Sequence, residues 1–203
     1  MQLDLTSDQR AARAGFRAFV DVEVVPYAHQ YDAEERLPAQ LVRRLGERGY
    51  LGGALPRHVG GGGMDPITHG LLHEEAGRGS ASVQGLLNVH NMAAQAICRW
   101  GTEVQKAQWL PQLASGERIA AFAVTEPDVG SDARNVATTA VASGDFFVLH
   151  GQKKWITCAQ IADVFVLLAR CEENPTAFLV ERDRPGLFVH PITGMLGCRA
   201  YML

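Results

Sequence analysis

At 203 residues, with 47% hydrophobic and 20% charged side chains, the chain can bury one good core or two small ones. A net charge of −3 gives no electrostatic case for nucleic acid, and no basic stripe with interleaved aromatics is present. The longest apolar runs, such as Val164 to Ala169, are too short to span a membrane, and Met1-Gln2-Leu3-Asp4 has no secretory-signal character. Cys98, Cys158, Cys171 and Cys198 show no Cys-x-x-Cys spacing and read as reduced thiols of a cytoplasmic protein.

The first half of the chain has helical spacing. Thr6 or Ser7 caps a long first helix whose apolar positions are Ala12, Phe16, Phe19, Val20 and Val24, and Pro26 limits its continuity. Pro38 suits the first turn of a second helix, Ala39 to Arg48, which Gly49 ends. Gly60 to Gly63 make a loop, read as a flexible helix–helix connection. The run neither follows a strand nor carries a Gly-x-Gly-x-x-Gly or Gly-Lys-Ser/Thr pattern, so it is no phosphate loop. Asp65 caps a third helix to about Arg78, Ser80 or Ser82 opens a fourth to Trp100, and Thr102 caps a fifth to about Ala114.

After Gly116 the pattern turns to short β-rich runs. They are Ile119 to Thr125, Val136 to Ala142, Phe146 to His150, Lys153 to Thr157, Val164 to Ala169, Thr176 to Val180 and Leu187 to Pro191. Ser143-Gly144-Asp145 has hairpin chemistry. Helices followed by strands make an α+β fold of two modules, residues 1–116 and 117–203, rather than a βαβ sheet.

The most informative stretch is Ala123-Val124-Thr125-Glu126-Pro127-Asp128-Val129-Gly130-Ser131-Asp132, taken with Lys153-Lys154-Trp155-Ile156-Thr157. A strand delivers hydroxyls and a close-approach glycine to a loop, and a second strand sets an indole beside another hydroxyl. Small hydroxyls, open backbone and an aromatic plate suit a large planar cofactor that carries phosphates.

These segments resemble the flavin-binding half of the acyl-CoA dehydrogenase family. Val129 and Asn135 depart from the family pattern, which prefers smaller residues there. The resemblance covers essentially the whole chain. It includes Trp100-Gly101-Thr102-Glu103, Gln105-Lys106, the run from Trp109 to Glu117, Pro185-Gly186-Leu187 and Gly197-Cys198-Arg199-Ala200. It implies an N-terminal all-helical domain, then an antiparallel β-barrel or sandwich-like domain. It also implies a C-terminal helix bundle carrying the carboxylate base, beyond the present sequence, so the chain reads as truncated.

The implied activity is FAD-dependent α,β-dehydrogenation of an acyl thioester, on coenzyme A or an acyl-carrier protein. An electron-transfer flavoprotein or oxygen is the implied acceptor, and the implied assembly is a homo-oligomer, dimer or tetramer. By matching position, Phe122, Val124 and Thr125 line the flavin, with Thr125 near its pyrimidine edge. Gly130 and Ser131 meet the pyrophosphate region, and Ser131 also the substrate. Trp155 and Ile156 flank the ring system, and Thr157 sits near the reactive nitrogen. No residue is assigned as the base. The alternative is a flavin-domain remnant that binds a partner without turnover.

Other constellations have plainer readings. His69 and His73 share a helix face, but His-Gly-Leu-Leu-His-Glu is not a zinc-protease motif, and a solvated face is expected. No metal site is assigned. His90 either lines an acyl pocket or packs between helices. Glu126 and Asp132 are expected to serve their tight turn rather than acid–base chemistry.

Overall fold

The computed structural model describes residues 4–195 and 200–202. Among these, the residues up to Glu117 form one compact unit and those from Arg118 onward form another.

The helical unit starts from local capping chemistry. Helix α1 (Ser7–Glu23) opens on Thr6, whose hydroxyl accepts the Gln9 amide at 3.2 Å while the Gln9 side chain accepts the Thr6 amide at 3.0 Å. Its buried face carries Phe16, Phe19 and Val20. Both phenyl rings stand edge-on to Tyr50, with centroids 5.3 and 5.2 Å away. A 3-10 turn at Pro26 (Val25–Tyr27) leads into a short helix α2 (Ala28–Ala33) that the sequence reading did not include. Helix α3 (Ala39–Glu47) follows Pro38, which takes the extended cap position rather than the first helical turn.

Asp65 caps α4 (Pro66–Gly79) through the Ile67 and Thr68 amides, and Ser80 caps α5 (Ala81–Trp100). Thr102 and Gln105 form a second reciprocal box at the start of α6 (Glu103–Ser115). Leu86, Leu87, Leu110 and Leu113 are fully buried between these helices.

The glycine run is not the flexible connection expected of it. Gly62 donates to Gly52, Gly63 to Leu55 and Met64 to Gly53, at 3.0, 2.9 and 2.9 Å. A Cβ on Gly61 would collide with the Leu55 carbonyl. The residues are glycine because backbone packs on backbone here.

In the second unit, β5 (Val164–Cys171) organises a five-stranded sheet. Along one side it pairs antiparallel with β6 (Asn174–Glu181) over its whole length. Along the other it pairs in parallel with β1 (Ala120–Ala123) and, at its far end, with β2 (Thr139–Ser143). Strand β2 turns through Gly144, at φ 61°, into its antiparallel partner β3 (Phe146–His150). A three-stranded sheet has the order β4 (Ile156–Thr157), β8 (Ala200–Met202), β7 (His190–Pro191).

The expected helical domain followed by a sheet domain is what the structure has; of the expected antiparallel barrel or sandwich, the sheets are two and open rather than closed, and the larger is mixed. Parallel pairing of β1 with β5 needs a long crossover, supplied by the excursion through β2, β3 and β4; local alternation cannot reveal such a partner. The expected strand near Lys153 to Thr157 also shrinks to two residues. Among the described residues no helix is long and apolar enough to cross a membrane.

Candidate functional site

Strand β1 ends at Ala123, and the chain then runs as irregular backbone through Val124, Thr125 and Glu126. Phe122, Val124 and Thr125 are half-buried. The next turn is closed by Glu126 N–H donating to the Val129 carbonyl at 2.8 Å, and it leaves Gly130 and Ser131 exposed. A Cβ at Gly130 would meet no atom within 4 Å, so its backbone faces open space.

The second segment is anchored to the first by its main chain. The Lys154 amide donates to the Thr125 carbonyl at 2.8 Å. One residue later the backbone of Trp155 takes φ 61°, and after the two residues of β4, Cys158 takes φ 63°. Left-handed conformations cost a side-chain-bearing residue on the order of 1 kcal/mol each. They cluster where the surrounding structure forces a shape. The outcome here is an indole left 47% exposed, with Lys154 Nζ 4.9 Å from its ring centroid. The following Ile156 is 2% exposed, so its side chain belongs to the core and can offer a ligand backbone only. Thr157 is half-buried.

Sequence reasoning missed Lys153. It is 1% exposed, and its Nζ donates to Glu126 Oε1 at 2.7 Å and to the Val124 carbonyl at 3.1 Å. Glu126 also accepts the amides of Ala137 and Thr138. Burial alone would raise the Glu126 carboxyl; the bonds from Lys153, Thr138 and Ala137 outweigh it and hold the group at about 2. Burial lowers the Lys153 ammonium, and Glu126 opposes that shift. Glu126 is thus committed to structure, as the sequence suggested. Asp132, exposed, accepts from the Asn135 side chain, and its carbonyl takes the Asn135 amide at 3.0 Å. The one signal for Lys153 was its place next to the aromatic motif, which does not announce burial.

His90 lies in the helical unit. It is 0% exposed, and its Nε2–H donates to the Leu113 carbonyl at 3.0 Å, tying α5 to α6. Of the two roles open to it, these contacts support packing rather than an acyl pocket. His69 and His73 do not form the solvated face expected. Both rings are half-buried, edge-to-face at 4.5 Å, and burial followed by the His69 charge pushes His73 down to about 4. No group of three His, Cys, Asp or Glu among the described residues could hold a metal. Cys98, Cys158 and Cys171 are free thiols. Gly197, Cys198 and Arg199 lie outside the described residues.

Half-exposed hydroxyls at Thr125 and Thr157, an exposed indole and open backbone at Gly130 and Ser131 fit a flat ring system with a polar edge and an anionic tail. Comparison with known proteins gives the family. Residues 6–117 match the family model described as acyl-CoA dehydrogenase, N-terminal domain, and residues 121–203 match the acyl-CoA dehydrogenase, middle domain. The chain is 37% identical to the mitochondrial short-chain specific acyl-CoA dehydrogenase of Bos taurus, over 98% of this chain and 50% of that protein. Glutaryl-CoA dehydrogenase from Mycobacterium smegmatis superposes with a TM-score of 0.93 at 36% identity, covering 98% of this chain and 53% of that one. A structure of a Mycobacterium smegmatis glutaryl-CoA dehydrogenase in complex with FADH2 gives the same TM-score at 31% identity, with coverages of 98% and 53%. The chain spans about half the length of the curated relatives it matches.

Proposed function

Because the chain belongs to the acyl-CoA dehydrogenase family, we propose that it supplies the flavin side of a site that dehydrogenates an acyl-CoA thioester between its α and β carbons. The observation that carries the reading is the left-handed Trp155. Its backbone spends energy to hold an indole half in solvent, beside Thr157 and on a segment bonded to Thr125. When bound, FAD would accept the β-hydrogen as hydride.

The residues of this chain bind and orient. Trp155 offers its face to the ring system. Thr125 and Thr157 offer hydroxyls to the ring's polar edge, each hydrogen bond contributing about 1 kcal/mol. Gly130 and Ser131 offer backbone and a hydroxyl to the pyrophosphate. Phe122 and Val124 close the apolar side, and Ile156 acts through its main chain. The α-proton has no acceptor among these groups, since Glu126 is already neutralised and bonded. The acyl carrier is proposed as coenzyme A, which the relatives' names specify. An electron-transfer flavoprotein is the proposed acceptor, and a cytoplasmic homo-oligomer the proposed assembly.

Titration with FAD tests this, followed by quenching of flavin fluorescence and by the flavin absorption band. Saturable binding is expected; with no acceptor for the α-proton among these groups, added acyl-CoA should leave the long-wavelength band of this chain unbleached. Absence of saturable binding refutes the proposal.

A further inference from the structure

Three consecutive acceptors, the Val124 carbonyl, the Thr125 carbonyl and the Glu126 carboxylate, are each bonded by one of two consecutive donors, Lys153 and Lys154. Lys153 contributes its side chain and Lys154 its main chain. The seam lies directly before Trp155. A lysine at 1% exposure is an expensive way to fill a core, because taking its charge out of water costs more than packing a methionine of similar length. A methionine could replace its volume, but no apolar side chain could bond the Val124 carbonyl.

We infer that Lys153 is a positioning residue: its buried ammonium, braced by Glu126, fixes the Val124–Thr125 backbone against the Trp155–Thr157 segment, so that the two halves of the flavin surface are set before the flavin arrives. This rests on the flavin reading above. The geometry makes the distinction between stability and placement concrete. Glu126 ties the seam onward to the amides of Ala137 and Thr138 just before β2, so it has structural work independent of Lys153. The Val124 carbonyl bond serves the stretch between β1 and the turn. That stretch has no sheet partner to hold it, since the β1–β5 ladder ends at Ala123. The Lys153 ammonium and the Lys154 amide take over from the ladder at the point where the proposed ligand surface begins.

The test compares the protein with the double variant Lys153→Met/Glu126→Gln, which removes both buried charges together and so avoids stranding one of them. Three quantities are read: the urea unfolding midpoint, the FAD dissociation constant with the bound flavin's absorption spectrum, and hydrogen exchange at the Lys154 amide. The midpoint should fall modestly with the protein still folded, because a glutamine oxygen cannot serve both the Ala137 and the Thr138 amide and a methionine gives the Val124 carbonyl no donor. FAD binding should weaken about tenfold with a changed spectrum, and the Lys154 amide should exchange about tenfold faster, the scale of one lost hydrogen bond.

A folded double variant with unaltered FAD affinity and spectrum overturns the inference, as does weaker binding with an unaltered Lys154 amide. Should the variant fail to fold, the unaltered protein decides: its Lys154 amide must already be protected before FAD is added, and free exchange there overturns the inference. Failure of the unaltered protein to bind FAD refutes the flavin reading itself, and the inference with it; binding by the unaltered protein that the double variant matches refutes the inference alone.

Discussion

Acidification from pH 7 to pH 5 is expected to cost the helical unit about 2 kcal/mol through His90 alone. The ring is sealed between α5 and α6, and burial pushes it from 6.5 down to about 4 against the smaller opposing effect of its bond to the Leu113 carbonyl. The unfolded chain accepts a proton near 6.5, while the folded one refuses it until about 4. Stability is therefore fully present above 6.5 and drains away as pH falls between the two values. The whole gap is worth about 3 kcal/mol, and about 2 kcal/mol of it is gone by pH 5. Because the ring is 0% exposed, solvent screening does not reduce the figure.

Urea unfolding followed by far-ultraviolet circular dichroism across this range checks it. His90→Gln keeps a donor toward Leu113 and removes the titration. His73 still titrates in both proteins, so the variant's stability should fall less steeply with acid without becoming flat. Equal slopes in the two proteins would refute the account of a desolvated, neutral His90.

Three further variants have expected outcomes. Glu75, 1% exposed, receives Arg17 at 2.8 Å, Arg78 at 2.8 Å and Arg13 at 3.1 Å, and these bonds, that of Arg17 foremost, hold its carboxyl at about 2 despite burial. Glu75→Gln should destabilise the helical unit by about 2 kcal/mol at neutral pH, a figure kept low because the guanidiniums are partly solvated. That difference should be present in full above about 4.5 and vanish as pH falls to about 2, which acid titration of both proteins measures.

Trp155→Gly should leave the sheet unit within about 1 kcal/mol of its original stability, since relief of a left-handed backbone offsets the loss of a half-exposed ring. It should nonetheless weaken FAD binding. Thr157→Val should retain FAD and shift its reduction potential by the equivalent of about 1 kcal/mol. Unaltered flavin affinity in the first variant and unaltered potential in the second would show that these residues do not face the flavin.

What the sequence showed was what is decided locally. The caps at Thr6, Asp65, Ser80 and Thr102 were legible because a side chain and an amide three residues on settle the matter between themselves. The Gly144 hairpin was legible for the same reason. The strands β3, β5 and β6 also lay where alternation and β-branching put them, with ends extended by pairing. Partner choice was not legible. That β5 accepts β1 in parallel and that Lys153 reaches back to Val124 are facts of distant residues meeting. The motif residues from Phe122 to Ser131 and from Trp155 to Thr157 could be found from the resemblance, but the left-handed turn at Trp155 and the burial of Ile156 could not, since tertiary packing overrides the extended preference of such residues.

The glycine-rich bend between α3 and α4 carries a practical lesson for anyone modifying this protein. Composition would nominate it as the place to splice in a tag or to expect a protease to cut. Its amides, however, are spoken for by Gly52, Gly53 and Leu55, and its surfaces leave no room for a methyl group at Gly61. A cleavage enzyme needs several residues in extended form, and an inserted peptide needs slack; this bend has neither to give. Gly144, at a hairpin tip with open space around it, is where a graft should be accepted instead.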